Sequence, residues 1–172
     1  MKINLKKLLS GAAGRIPFEG TADLRAEELY GAHPFPYPVC YRGEITSHLD
    51  VLRLTGEIET TYVTACARCL KPLGIPLSAE VDMVLIQNED GQEETEDVFM
   101  IEGDEVDPED VLIPALYFEI NMAYLCKEDC KGLCPHCGAD RNVTACDCSD
   151  HQIDDRLAVL KTLLDKKQDN AN

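Results

Sequence analysis

The sequence predicts an α+β fold, built on a small antiparallel β-sheet or a partly open barrel with one or two helices. Three observations predict it: apolar residues alternate over positions 39–85, a helix-start signal stands at Asp107-Pro108, and eight cysteines form four close pairs. The 172 residues suit one domain with a sizeable core. We expect a β-rich core domain over residues 1–125, a cysteine-rich segment over 126–150, and a C-terminal helix and tail over 151–172.

The first 37 residues combine a short amphipathic start with a path that is rich in glycine and proline. Proline stands at every second position of the stretch 34–38. Because proline has no amide hydrogen to donate, this stretch favours an extended, edge-like segment over a helix.

Residues 39–85 predict three strands. Apolar side chains occupy odd positions before Asp50 and even positions after it, so a turn or bulge must separate two strands there. These side chains are Val39, Tyr41 and Ile45 on the first strand, and Leu52, Leu54, Ile58 and Tyr62 on the second. After a turn around Cys66 and Cys69, a third strand pairs with the second as a hairpin. Cys40, alone on the first strand, is expected to be a small buried side chain.

Residues 88–110 hold twelve acidic residues and no basic one, with an apolar stretch at 98–101. The composition predicts a solvated acidic loop from which 98–101 returns as a strand; the alternative is a lure for a basic partner or a nucleic-acid mimic. Asp107 suits a helix N-cap and Pro108 the first turn of that helix. Pro114 has no amide hydrogen and should kink or restart the helix.

A last helical pattern covers residues 154–167. Leucines at positions 157, 160, 163 and 164 share one face of this helix. We expect that face to pack back on the sheet.

Eight cysteines in four close pairs match the ligand count of two tetrahedral metal sites. Zinc takes four soft ligands, and one tight turn delivers two of them with a Cys-x2–4-Cys spacing. Disulfides need an oxidising compartment, and the N-terminal sequence lacks the run of about 7–15 apolar residues of a secretory signal. We therefore expect a cytoplasmic protein with a zinc-clasped hairpin, a C-terminal zinc knuckle and two zinc ions, bound by Cys66, Cys69, Cys126, Cys130, Cys134, Cys137, Cys146 and Cys148.

These pairs can share the two metals in two ways. In the first division, one metal is bound by Cys66, Cys69, Cys126 and Cys130, and the last four cysteines form a local knuckle around the other. In the second division, one metal is bound by Cys126, Cys130, Cys134 and Cys137, and the other by Cys66, Cys69, Cys146 and Cys148. We prefer the first division, which bridges the hairpin to the end of the helix and leaves a local knuckle. The CPHCG turn of that knuckle is typical of a zinc site, because Gly138 permits the backbone amides to turn toward the sulfur. His136 is expected to point outward, and His151 is an alternative ligand.

Charge and motifs restrict the classes of function. A chain with a formal charge of −16 repels nucleic acid unless its positive charge is gathered in one place. A cluster of this kind, Lys2, Lys6, Lys7 and Arg15, precedes the first acidic residue, and we interpret it as solvated lysines and arginine on a terminus. No stretch approaches the ~20 apolar residues of a membrane span. All-cysteine sites lack the open position of a catalytic zinc, and no phosphate loop or nucleophile elbow is present, so we predict no enzyme.

Three motifs carry a resemblance to a known family. MKINLKKLL, ACARCLKPL, and CKGLCPHCGADRN followed by CDC together resemble the bacterial YceD family, the large ribosomal RNA subunit accumulation proteins. The resemblance covers nearly the whole chain. It implies a role in the accumulation or processing of large-subunit ribosomal RNA, without catalysis. It also implies that the CPHCG…CDC block is a self-contained addition, because the family includes members without that block.

The sequence thus predicts a non-enzymatic, zinc-binding factor for ribosome biogenesis, present as a monomer. Its expected partner is a ribosomal precursor or a basic ribosome-associated protein, with direct RNA contact left open. The alternatives are a thiol-based redox protein that uses Cys66-x-x-Cys69, or a generic zinc-stabilised interaction module. A redox pair is typical of a helix start, whereas Pro72 and Gly74 favour a hairpin here.

Overall fold

The computed structural model describes residues 1–12, 14–49, 51–87 and 97–148. In chain order the elements are β1 (Ile3–Asn4), α1 (Lys6–Leu9), β2 (Arg15–Ala22), β3 (Val39–His48), β4 (Val51–Ala65), β5 (Pro72–Gln87), β6 (Val98–Ile101), β7 (Glu105–Val106) and α2 (Pro108–Phe118). Within these residues, β2-β3-β4-β5-β6 form an open sheet, and β1 pairs with β7 in a second, two-stranded sheet. The predicted small sheet is present and does not close into a barrel within these ranges. The prediction of a purely antiparallel sheet was wrong, because β6 pairs in parallel with β5.

The three predicted strands are confirmed as β3, β4 and β5. They pair in antiparallel fashion, and the register places Ile45 opposite Leu54 and Leu54 opposite Met83, all on one face. The change of parity corresponds to the β3–β4 turn, where Leu49 has a φ of 49°. One apolar face of the sheet is thereby presented to α2.

Helix α2 begins as the sequence predicts. Asp107 is its N-cap, and the Asp107 side chain accepts a hydrogen bond of 3.1 Å from the Glu109 amide. The helix does not restart at Pro114, since it continues without interruption to Phe118. Its buried apolar side chains, Val111, Leu112 and Leu116, pack on β4 and β5. Burial of each of these side chains stabilises the fold by about 1.5–3 kcal/mol.

Two facing glycines allow β3 and β4 to pack closely against each other and against the Phe18 ring. Gly43 and Gly56 are paired across β3 and β4. A Cβ atom at Gly43 would lie 2.2 Å from the Thr55 carbonyl oxygen and 2.6 Å from the Phe18 ring. At Gly56, a Cβ atom would lie 3.4 Å from a methyl group of Leu112. The missing side chain at Gly43 makes room for the Thr55 carbonyl group and the Phe18 ring, whereas the distance to Leu112 at Gly56 is an ordinary van der Waals contact.

The structure differs from the sequence prediction in the first strands. Strand β2 was not predicted, because Pro17 and Gly20 interrupt its apolar pattern; it lies at the sheet edge, where proline is tolerated. The prediction that Cys40 is buried was wrong, since its side chain is exposed. Strand side chains alternate, so the buried Val39 and Tyr41 place Cys40 on the outer face.

The acidic segment is partly organised. Residues 98–101 return to the sheet as the predicted strand β6, which pairs in parallel with β5. Strand β7 and the start of α2 account for much of positions 105–110. Residues 88–96 and the predicted helix at 154–167 lie outside the described residues. The division at residues 125 and 150 stays a prediction.

Candidate metal centre

The first group of sulfur atoms joins two distant parts of the chain. The β4–β5 turn carries Cys66 and Cys69, and the segment that follows α2 carries Cys126 and Cys130. The Sγ atoms of Cys66 and Cys130 lie 3.8 Å apart, and those of Cys69 and Cys126 lie 3.6 Å apart. Sulfurs around one tetrahedral zinc ion lie about 3.8 Å apart. These distances far exceed a disulfide bond of about 2.05 Å, and all nine cysteines are free.

The second group has the same composition and a more open position. Its four sulfurs lie within 4.8 Å of one another, and they belong to Cys134, Cys137, Cys146 and Cys148. Cys134 is buried, whereas Cys137 is exposed. The sulfurs are therefore assembled as in the first division of the pairs. His136 is exposed and stands outside this group, and His151 lies beyond the described residues.

Both Cys-x-x-Cys turns have one backbone design. The amide of Leu70 donates to the Cys66 carbonyl at 2.9 Å, and the amide of Gly138 donates to the Cys134 carbonyl at 2.9 Å. The donor residue has a positive φ in each turn, 60° at Leu70 and 74° at Gly138. Glycine adopts this conformation at no steric cost, while leucine is strained there. The same turn therefore forms with either leucine or glycine at this position.

Backbone amides lower the pKa of some thiols in each group, whereas burial and the neighbouring sulfurs raise the pKa of others. Burial acts to raise the pKa of Cys66, but backbone amides of Cys126 and of its own turn outweigh burial and lower that pKa to about 6. Amides of its turn, that of Cys137 foremost, lower the pKa of Cys134 to about 6. Burial, followed by the neighbouring thiols, raises the pKa of Cys126 to about 12, and the Cys137 thiol raises that of Cys148 to about 12. A divalent cation would allow all four sulfurs of a group to ionise.

Asn142 connects the two groups, although it follows the CPHCG turn of the second. Its Nδ2 atom donates to the Cys130 sulfur at 3.4 Å, and its Oδ1 atom accepts from the Lys131 amide at 2.9 Å. Asp140 holds Asn142 in place, since Asp140 Oδ1 accepts from Nδ2 at 2.7 Å and from the Asn142 amide at 2.9 Å. The Arg141 amide also donates to the Gly132 carbonyl at 3.0 Å. The second block therefore has a sulfur group of its own and is also joined to the first group by hydrogen bonds. That it is a self-contained addition, as the resemblance implies, stays a prediction.

Arg68 also stabilises the first group, through hydrogen bonds to the segment that carries Cys130. Its guanidinium Nη1 atom donates to the carbonyls of Cys130 at 2.9 Å and Glu128 at 3.3 Å. Its own carbonyl accepts from the Leu133 amide at 3.0 Å. These bonds attach the downstream cysteines to the hairpin turn independently of any metal.

Sequence reasoning missed both Asn142 and Arg68 as supports of the sulfurs. A signal was present for Asn142, because an Asp-x-Asn sequence between ligand pairs is typical of a turn held by side-chain bonds to the backbone. No comparable signal exists for Arg68, since its partners are carbonyl oxygens supplied by the fold.

Comparisons with known proteins identify relatives of this chain. A family model described as large ribosomal RNA subunit accumulation protein YceD matches residues 54–164, which include all eight paired cysteines. An uncharacterised protein of Mycobacterium tuberculosis is 29% identical over 67% of this chain and 57% of its own length. The Bacillus subtilis protein YlbN, also uncharacterised, is 31% identical over 77% of each chain.

A plant relative has a more informative name. The chloroplastic large ribosomal RNA subunit accumulation protein YCED homolog 1 of Zea mays is 29% identical over 72% of this chain. The chain spans 52% of the length of that maize protein and 57% of the mycobacterial one.

Two further observations concern solved structures and membrane-spanning helices. No solved structure matches the chain. In the described ranges, no helix is both long enough and apolar enough to cross a membrane. The family model covers well over half of the sequence, and so this chain belongs to the YceD family, the large ribosomal RNA subunit accumulation proteins.

Proposed function

We propose that this protein is a non-enzymatic factor for the accumulation of large-subunit ribosomal RNA, stabilised by two zinc ions in the two cysteine groups. The observation that carries the functional part is the family match over residues 54–164. The maize relative is named for the same process. We propose that the partner in this process is a ribosomal precursor or a basic ribosome-associated protein.

The zinc part rests on the chemistry of the sulfurs. Each group offers four thiols and no histidine, which is the donor set of a closed structural zinc site. When bound, such an ion neutralises the thiolates and adds its binding energy to folding. The Cys66-x-x-Cys69 pair lies in a hairpin turn and not at a helix start, which disfavours the redox alternative.

Metal content tests the zinc part directly. Protein purified without chelator should carry two zinc ions by native mass spectrometry, and its paired thiols should react with a thiol reagent only after a chelator is added. Metal-free protein with rapidly reacting paired thiols would contradict the assignment and favour a redox role.

A depletion experiment tests the functional part. In cells that lack the protein, the molar ratio of large-subunit to small-subunit ribosomal RNA should fall below that of wild-type cells. The wild-type gene should restore this ratio. Crosslinking in cells, followed by identification of the bound RNA and protein, then names the contacts. An unchanged ratio after complete depletion would exclude the proposed role.

A further inference from the structure

An apolar groove opens beside the first cysteine group. Its volume is about 990 Å³, and its lining includes four of the six tyrosines of the chain but no Lys, Arg, Asp or Glu. The end of β4, residues 63–65, contributes to this lining. Two of the lining side chains, Tyr30 and Met122, are exposed by 93% and 106% respectively.

The groove is built on a rigid aromatic base. Phe35 is fully buried, and its ring meets the rings of Tyr62 and Tyr117 edge to face at centroid distances of 5.7 and 5.8 Å. Tyr124 packs on Tyr62 at 5.6 Å. The shape of the groove therefore exists before any partner arrives, which reduces the entropy lost on binding.

The position of Tyr30 is unusual for an exposed aromatic residue. Tyr30 and Gly31 form a two-residue turn closed by hydrogen bonds between Leu29 and Ala32, at 2.8 and 3.1 Å. Both central residues have positive φ, 54° and 78°, as in a type I′ turn. Asn, Asp or Gly suits the first position, and tyrosine is strained there. Leu49 has a positive φ and an exposed side chain as well, so strain alone does not mark a site. Tyr30 differs because its strained, exposed ring lines the groove, and this combination points to a binding role.

The charges around the groove select the chemistry of a partner. Glu28 and Glu119 directly precede the lining residues Leu29 and Ile120. Two arginines close in sequence to lining residues are engaged, because Arg25 pairs with Asp23 at 2.6 Å and the guanidinium of Arg68 is bonded to carbonyls. An apolar groove with an acidic border suits a segment with apolar anchors and flanking cations. It disfavours RNA, which needs cations for its phosphates, and a second copy of this acidic chain.

We propose that this groove binds a basic protein segment, with an aliphatic or aromatic side chain packed against Tyr30 and Met122 and lysines or arginines against the acidic border. This inference rests on the proposed function in one respect, namely that the protein containing the basic segment is ribosome-associated. The groove itself is testable without any ribosomal readout.

The test uses the full chain and a fluorescent peptide of leucine, phenylalanine and lysine. A peptide with serine in place of the apolar residues measures attraction by charge alone. The variant Tyr30→Asn combined with Met122→Ala removes the two exposed side chains, and Asn suits the turn better than Tyr. We expect this variant to bind the apolar peptide about tenfold more weakly, with an unchanged or higher Tm.

The chain offers a matched control at another turn. Leu49 is also exposed, by 84%, and also has a positive φ. Leu49→Asn should therefore leave peptide affinity unchanged. Equal affinity in the wild type and the groove variant, or equal loss in Leu49→Asn, would overturn the proposal. So would groove-dependent binding of a single-stranded RNA oligonucleotide in place of the peptide, or self-association that the groove variant abolishes. Because the assay does not measure ribosomal RNA, its failure is distinct from a failure of the depletion experiment.

Discussion

At the scale of single residues, the supports of the cysteines are as informative as the cysteines. The amide group of Asn142 contacts a sulfur of the first group from within the block that carries the second. A donor to a metal-bound thiolate lowers the charge on the sulfur and holds its orientation. Asn142 thus gives the two candidate sites a physical connection.

Replacing Asn142 by alanine should weaken the first site. The change removes the donor to Cys130 and the acceptor for the Lys131 amide, at an expected cost of about 1–2 kcal/mol in the free energy of unfolding. Zinc transfer to a chromogenic chelator should be faster than in the wild type. The neighbouring Val143 is 82% exposed, so Val143→Ala is a suitable control and should change neither quantity. Identical release kinetics for Asn142→Ala and wild type would contradict this role.

Tyr41 fastens β3 to the start of α2. Its hydroxyl donates to Glu109 Oε1 at 2.8 Å. Tyr41→Phe should lower the free energy of unfolding by about 1–2 kcal/mol at neutral pH, measured by urea denaturation. Tyr37→Phe, at a side chain exposed by 55%, serves as the control.

The same bond predicts a pH dependence. Burial, and then the bond to Glu109, raise the pKa of Tyr41 from 10.0 to about 12. A raised folded-state pKa contributes stability below pH 10 that is lost as the pH rises through 12. The stability gap between wild type and Tyr41→Phe should therefore narrow between pH 10 and pH 12. A gap that stays constant across this window would show that the hydroxyl is not the cause.

At the scale of elements, what could be predicted depended on how local each signal is. The change of parity at Asp50 and the Asp107-Pro108 cap are encoded by adjacent residues, and both are confirmed. Strand β2 has few apolar residues and gains its hydrogen bonds from β3, so its own sequence does not reveal it. Cys40 was misjudged because its residue type was weighed above the alternation of its strand.

The cysteines show the same division between local and distant information. Their pairing into turns follows from spacing, and the grouping of the pairs depends on where α2 returns the chain. Interlocking bonds such as that of Asn142 arise only once the turns meet.

The two cysteine groups should differ in their effect on the whole fold. Cys66 is fully buried and joins the β4–β5 hairpin to the segment after α2, whereas Cys146 is half-buried in a more open group. Cys66→Ser should remove several kcal/mol of stability and lower the Tm by about 10 °C or more. Cys146→Ser should loosen the CPHCG…CDC block with a clearly smaller shift in calorimetry. Equal shifts for the two variants would contradict the difference in roles.

At the scale of the whole molecule, the distribution of charge favours a protein partner over naked RNA. The net charge is −16, and twelve of the acidic residues fall in positions 88–110. On the outer face of the sheet, three arginines are each paired with a carboxylate: Arg15 with Glu44, Arg42 with Glu57 and Arg53 with Asp82. These pairs offset the positive charge that the outer face would otherwise present to phosphate groups.

Neutralising part of the acidic segment should slow association with basic proteins. Amides in place of Glu93, Glu94, Glu96 and Asp97 remove four charges, three of which belong to residues outside the described part. We expect an association rate about tenfold lower toward purified large-subunit ribosomal proteins at low salt, measured by stopped flow, with an unchanged Tm.

Ionic strength provides the control for this comparison. The difference in rate should vanish near 1 M salt, where the Debye length is about 3 Å. Naked ribosomal RNA should bind weakly in physiological salt. Nanomolar binding of that RNA by the protein alone, or an unchanged rate after neutralisation, would refute the electrostatic account.

The separation of the two halves of the first cysteine group has a consequence for the newly made chain. Cys126 lies 57 positions after Cys69. At synthesis rates of about 5–20 residues per second, the hairpin thiols wait about 3–11 s for their partners to be made. During that interval the β4–β5 turn is a two-sulfur half-site, open to oxidants and to competing metals. With zinc bound as proposed, the maturation of this protein would depend on the supply of metal at the moment of translation, and a cell short of zinc would lose newly made copies before existing ones.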